Sequence, residues 1–184
     1  MTSPYQFYQF WINSDDADIS KYLRYFSLKP RTEVERLEAM LADDPRAVKA
    51  VLAEELTTRV HSAEEAESAR QVSMLLFGRD VDENFVKNLS TVTLENIAGE
   101  IPAYTISKDC FDAPQVIIDL LSVYCPIFPS KTEARKAIQN NAVSVNKIKI
   151  ILHDHELKKE DLLHGKYLLV ENGKKNKFVL KFDF

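Results

Sequence analysis

The residues best suited to chemistry lie in one stretch, Ser130-Lys131-Thr132-Glu133-Ala134-Arg135-Lys136-Ala137-Ile138, followed by Gln139-Asn140-Asn141-Ala142-Val143-Ser144-Val145-Asn146. Ser130 can cap a helix, which leaves backbone N–H groups and the positive end of the helix dipole available to a phosphate. Lys131 and Arg135 fall one turn apart on one exposed face, with Lys136 beside them. Lys147 and Lys149 extend the cationic surface along an alternating segment. Lys174 and Lys175, with Lys177, add a further edge. Ser130 and Asn140 can donate hydrogen bonds. This combination suits a grip on a nucleic-acid backbone rather than the reading of a base.

Other groupings fit chemistry less well. His153-Asp154-His155 lacks the partner residues of a metal site, and Cys110 and Cys125 form neither a C-x-x-C pair nor a disulfide framework, so both are read as reduced thiols. His61 stands at a helix break, where capping is the expected role. Glu54-Glu55 and Asp43-Asp44 are adjacent rather than one turn apart, and read as solvated face and cap. The aromatic run of Tyr5, Phe7, Tyr8, Phe10 and Trp11 has the helical spacing of a packed face rather than a stacking platform. Four glycines form no phosphate loop. No catalytic residue and no metal ligand is assigned.

These side chains need elements to position them, and the chain changes character along its length. Helical start signals recur through the first hundred residues: Ser3-Pro4, Ser14-Asp15, Thr32 with Glu35, Asp44-Pro45 and Ser62 with Glu65. The implied helices bury stripes that include Phe7, Phe10 and Trp11; Ile19, Tyr22, Leu23 and Phe26; Val34, Leu37 and Leu41; and Val48, Leu52, Leu56 and Val60. The fifth ends at Gly78, a residue suited to a left-handed terminus. From Ile101 to Pro114 the period fails, which predicts a connection. Beyond it come two helices, one with a Val116, Leu120 and Val123 stripe, then a half-buried sheet and a hairpin turning at Asn172-Gly173. That hairpin would place Phe178, Leu180, Phe182 and Phe184 inside and Lys177 and Lys181 outside. The expected fold class is α+β: a helical domain over 1–100, a linker over 101–113, and a small domain with a mixed or antiparallel sheet over 114–184. Charge follows the same division. Residues 1–113 hold 12 basic and 20 acidic side chains, net −8, and residues 114–184 hold 12 basic and 8 acidic, net +4, within an overall −4. No apolar run approaches the roughly 18 residues of a membrane span, and the start lacks a secretion signal, so a cytoplasmic protein with no membrane partner is expected.

The pattern S-K-x-x-A-R-x-x-I-x-x-x-x-V-x-V-N resembles the small RNA-binding domain called the alpha-L motif, over about residues 114–184. Two departures stand out: Asn141 and Lys147 occupy positions where glycine is usual, so the second turn is expected to differ in shape. The run Thr2-Ser3-Pro4-Tyr5-Gln6-Phe7-Tyr8-Gln9-Phe10-Trp11-Ile12-Asn13, then Lys21 to Phe26, Leu52 to Thr57 and Val60-His61, is similar in order and spacing to bacterial tyrosyl-tRNA synthetases just past their KMSKS loop. This resemblance covers essentially the entire chain. It implies a helical domain that contacts the anticodon stem of tyrosine tRNA and a terminal domain that holds its long variable arm. The class I catalytic domain, with its HIGH and KMSKS motifs and its ATP and Mg2+, would lie in a missing part. By the same resemblance the fragment is expected to be a monomer, and the full protein a homodimer. Residues 171–177 match a hairpin that is typically more basic, with Glu171 and Asn172 at positions often cationic. The rival readings are an alpha-L module of a ribosome-associated or RNA-modifying protein, a helical protein-interaction domain, and a metal hydrolase built on His153 and His155.

Overall fold

The computed structural model describes residues 2–78, 81–107, 110 and 115–183. It is α+β, and it separates into two compact units, Met1–Gly78 and Arg79–Phe184. The expected connection over 101–113 is not where the units part. Ala103–Ser107 is a strand that pairs with the last strand of the chain, so the residues from 81 to 100 belong to the second unit. Residues 108, 109 and 111–113 lie outside the described residues.

The first unit comprises α1 (Pro4–Ile12), α2 (Asp16–Phe26), α3 (Arg31–Met40), α4 (Pro45–Val60) and α5 (Ala63–Phe77). Ser3, Asp15, Asp44 and Ser62 each accept a backbone N–H at a helix start, satisfying donors that the first turn leaves orphaned. Thr32 does not cap α3, which starts two residues earlier, behind Pro30 and without a side-chain cap. Ile19, Leu23, Leu37, Val48 and Leu52 are fully buried. Trp11 meets Phe7, Tyr22 and Phe26 edge-on at centroid distances of 6.0, 5.6 and 5.6 Å. Three members of the expected stripes lie outside: Phe10, Phe26 and Val60 are 61%, 41% and 59% exposed. Phe26 and Val60 are the last residues of their helices. Glu55 is not solvated face either. Its carboxylate accepts the Ser27 hydroxyl at 2.7 Å and the Leu28 N–H at 2.6 Å, closing the end of α2. His61 does cap α4, but through its backbone N–H, which donates to the Thr57 carbonyl at 2.9 Å; among the described residues its ring bonds no carbonyl, and its Nδ1 stands 3.8 Å from the Glu65 carboxylate. Gly78 has φ −70, so it is not left-handed, yet a Cβ there would lie 2.4 Å from the Met74 carbonyl oxygen. Close backbone approach is what requires glycine.

The second unit contains α6 (Glu83–Lys87), α7 (Thr91–Glu100), β1 (Ala103–Ser107), β2 (Gln115–Val116), α8 (Ile117–Asp119), α9 (Lys131–Gln139), β3 (Val143–Val145), β4 (Ile148–Lys149), β5 (Glu156–Leu157), β6 (Tyr167–Asn172) and β7 (Asn176–Asp183). The main sheet runs β1-β7-β6-β3-β4, with β1 parallel to β7 and the other pairs antiparallel; β2 and β5 form a separate ladder. After α8 the chain widens into a π-turn over Leu120–Tyr124, closed by the Cys125 N–H on the Leu120 carbonyl at 2.9 Å. The extra residue shifts the stripe, so Ile117, Ile118, Leu120 and Leu121 are buried and Val123 is 62% exposed.

The sheet is not half-buried. One face carries Val143, Val145, Leu168, Val170, Leu180 and Phe182 into a core shared with α8 and α9. On the alternate positions Tyr167, Leu169 and Val179 are buried too, on the side where the Tyr167 hydroxyl donates to Glu95 of α7 at 2.5 Å. Lys181 also binds Glu95, so neither Lys177 nor Lys181 simply points into solvent. Phe184 lies outside the described residues. Burial pushes the Cys125 thiol up to about 12, with Cys110 nearby, and both cysteines are buried.

Candidate nucleic-acid interface

Helix α9 is the frame of the cationic surface. Ala134 and Ile138 are fully buried and anchor one side of it, which turns Lys131, Arg135 and Lys136 outward. Ser130 caps its start, accepting the Glu133 N–H at 3.2 Å. Its other end is a Schellman motif: the Asn141 N–H reaches the Ile138 carbonyl and the Ala142 N–H reaches the Ala137 carbonyl, each at 2.9 Å. Asn141 takes the left-handed position with φ 54, the place usually held by glycine. Asparagine tolerates it because its short polar side chain suffers little there.

Two other cationic elements converge on this turn. Lys149, on edge strand β4, donates its ammonium to the Asn141 carbonyl at 2.9 Å. The β6–β7 hairpin reaches it as well, through the Gly173 N–H on the Ala142 carbonyl at 2.8 Å; Gly173 has φ 70, so glycine fits the bend. Lys174 and Lys175 follow at once and are exposed. The end of α9 carrying Lys136 and Asn140, the Lys149 side chain and the hairpin tip are thus held around Asn141-Ala142, at the negative end of the helix dipole, where cations are favoured.

The predicted residues differ in availability. Among the described residues no ion pair involves Arg135, Lys136, Lys149, Lys174 or Lys175. Lys131 pairs with Asp119 at 2.5 Å, but both side chains are substantially exposed (57% and 41%), so this is a weak surface pair that a phosphate can displace. Lys147 is a correction. Its turn with Asn146, expected to differ in shape, is left-handed with φ 48 and 70, as a two-residue hairpin requires. Its side chain is only 15% exposed and lies 2.7 Å from Glu171, so Lys147 is an internal ion-pair partner rather than a free cation.

Sequence reasoning missed a cavity of about 610 Å³ beside β4, lined by Ile148, Ile151, Leu152, Lys149, His155 and Glu160 among others. Its lining mixes the Lys87–Glu83 pair and Glu160 with Lys149, so it offers no net attraction to a polyanion. His153 and His155 are exposed, and no group of three or more metal-ligating side chains is present among the described residues.

Comparison with known proteins agrees with the division into units. Residues 1–78 match the family described as "tRNA synthetases class I (W and Y)", and residues 93–180 match "Tyrosine--tRNA ligase SYY-like C-terminal domain". The chain is 44% identical over 187 residues to a tyrosine--tRNA ligase of Cytophaga hutchinsonii, with 100% of this chain and 43% of the relative covered. It is 40% identical to that of Bacteroides thetaiotaomicron (97% of this chain, 42% of the relative) and 39% identical to that of Streptomyces avermitilis (96% and 40%). The chain spans about two fifths of the length of these relatives.

Proposed function

The chain belongs to the tyrosine--tRNA ligase family, whose carboxy-terminal part it matches, and on that premise we propose that its second unit grips the backbone of tyrosine tRNA. The observation that carries this reading is the convergence of three cationic elements on the Asn141-Ala142 turn. Each brings to it at least one cation, Arg135 and Lys136 on α9, Lys149 on β4, and Lys174 and Lys175 on the hairpin, that makes no ion pair among the described residues. Ser130, Lys131, Arg135, Lys136 and Asn140 would meet the RNA from α9, Lys149 from β4, and Lys174 and Lys175 from the hairpin. Contacts of this kind are to phosphate and ribose, so selectivity comes from the shape of a folded arm rather than from base edges. In this reading the long variable arm lies on the second unit, and the first unit meets the anticodon stem. Tyrosine activation with ATP and Mg2+ would be the work of the remaining length of the relatives, and these residues alone would bind tRNA as a cytoplasmic monomer without charging it. No helix among the described residues is long and apolar enough to cross a membrane.

The test is a salt titration of tRNA binding. Arg135→Gln and Lys136→Gln should each weaken binding to a tyrosine tRNA transcript and lower the slope of log K against log salt by roughly one unit per lost phosphate contact. Wild-type affinity and slope in both variants would remove the interface. Ribosomal RNA that outcompetes the transcript would favour an alpha-L module of another class.

A further inference from the structure

Glu171 is not explained by a grip on RNA. It is a carboxylate only 9% exposed, on β6 between Ser144 of β3 and Lys177 of β7. Its Oε2 accepts the Ser144 hydroxyl at 3.1 Å, and its Oε1 accepts the Lys147 ammonium at 2.7 Å and stands 3.6 Å from that of Lys177. The two lysine side chains are 15% and 11% exposed. One anion thus holds two cations out of water, in the same hairpin that presents Lys174 and Lys175; the Lys177 ammonium also donates to the Lys174 carbonyl at 3.3 Å.

We propose that Glu171 is an internal counter-ion that withholds Lys147 and Lys177 from RNA, and so sets how many phosphates the unit engages. The inference rests on the tRNA-gripping reading. A lysine that left Glu171 for a phosphate would exchange one ion pair for another and strand a buried carboxylate, which is costly. Lys174 and Lys175, facing water, gain a whole pair and release counter-ions from the RNA. Lys147 and Lys177 therefore add little to affinity while Glu171 is charged. Glutamine in its place removes the reason for both to stay inside, and their long stems let the ammonium groups swing out beside the hairpin tip.

The experiment is a cycle of variants in the 184-residue chain, each titrated with tyrosine tRNA transcript across salt. Glu171→Gln should steepen the salt slope by about one to two units and tighten binding about tenfold at low salt. Adding Lys147→Gln and Lys177→Gln to that variant should restore wild-type behaviour. The two lysine substitutions made singly, where Glu171 keeps one partner, should leave slope and affinity unchanged. The proposal is overturned if either single lysine variant loses a unit of slope as Arg135→Gln does, or if folded Glu171→Gln binds like wild type. It is overturned too if the triple variant keeps the gain, which would then come from the lost negative charge alone. Should Glu171→Gln not fold, the single lysine variants decide. Failure of the unsubstituted chain to bind any tRNA overturns both readings, and is seen before any substitution is made.

Discussion

Along the helices of Met1–Gly78 four of the six arginines lean on carboxylates of their own unit: Arg24 on Glu38, Arg31 on Glu35, Arg36 on Glu33 and Arg70 on Glu67, all at 2.6–2.7 Å. At α9 and the β6–β7 hairpin of the second unit, Arg135, Lys136, Lys174 and Lys175 make no ion pair among the described residues. Both regions are rich in cations, so cation count does not separate them. What separates these four arginines from the cations of α9 and the hairpin is that the fold has already spent them on neighbours; Lys21, Lys29 and Arg46 make no ion pair among the described residues, but they are scattered over two helices and a loop rather than gathered at one turn. Lys147 and Lys177 show the distinction inside one unit, since Glu171 places them with the spent group although their sequence neighbours are free. A basic stripe marks a nucleic-acid surface only where register and helix spacing leave it without carboxylates.

The largest expected effect tests whether the free cations depend on the sheet beneath them. Phe182 is fully buried on the face shared with α8 and α9. Phe182→Ala should cost the second unit about 3–5 kcal/mol and remove its share of tRNA binding, leaving at most the weak contact of the first unit. Trp11, the only tryptophan in the chain, reports on the first unit, so its fluorescence transition on thermal unfolding should stay in place. If the variant binds tRNA at wild-type affinity, the cations do not need the geometry that α9 and the hairpin share.

Acid should separate the units next. Guanidinium hydrogen bonds from Arg36, Arg24 and Arg70 hold Glu33, Glu38 and Glu67 below the ordinary carboxylate value of 4.5 in the first unit. Bonds from Lys181 and Tyr167 do the same for Glu95 in the second. A carboxylate depressed in the folded state takes up its proton later than the unfolded chain does. Its contribution is complete above 4.5 and is lost as pH falls through the depressed values. With three such groups among the described residues against one, the first unit should lose melting temperature faster below pH 4.5, read by Trp11 fluorescence against circular dichroism of the sheet. Equal losses would show that the arginine pairs contribute no more than screened surface charges.

Much of this architecture was readable in the residues. Ser3, Asp15, Asp44, Ser62 and Ser130 cap helices because a short oxygen-bearing side chain before an apolar period can do little else so well. The α9 face and the hairpin bend at Gly173 follow from spacing and from glycine's freedom at positive φ. What stayed hidden depends on residues far apart in the chain. β1 is a strand only because Ala103–Ser107 finds Val179–Asp183, and on the second, buried face of the sheet Glu95 of α7 meets Tyr167 and Lys181 from more than 70 positions away. The π-turn after α8 shifts a stripe by one residue, which no periodicity announces. Lys147 read as a free cation because Glu171, 24 positions later, is brought beside it by register alone.

The smallest effect offers the finest discrimination, because it sets backbone strain against the ion pair at one residue. Lys147 occupies the left-handed region with φ 70, which costs a side-chain-bearing residue about 1–2 kcal/mol relative to glycine. Its half-buried pair with Glu171 offsets that cost, less the desolvation of both groups. Lys147→Gly relieves the first and removes the second, and Lys177 remains to hold Glu171. Stability should therefore change by less than about 1 kcal/mol in chemical denaturation, and tRNA affinity should stay at the wild-type level. A loss above about 3 kcal/mol would mean that the ion pair holds the β3–β4 turn in place, as breaking a buried pair does. A clear gain in stability with a drop in tRNA affinity would mean instead that Lys147 is retained for the RNA, and would move it back among the free cations of α9 and the hairpin.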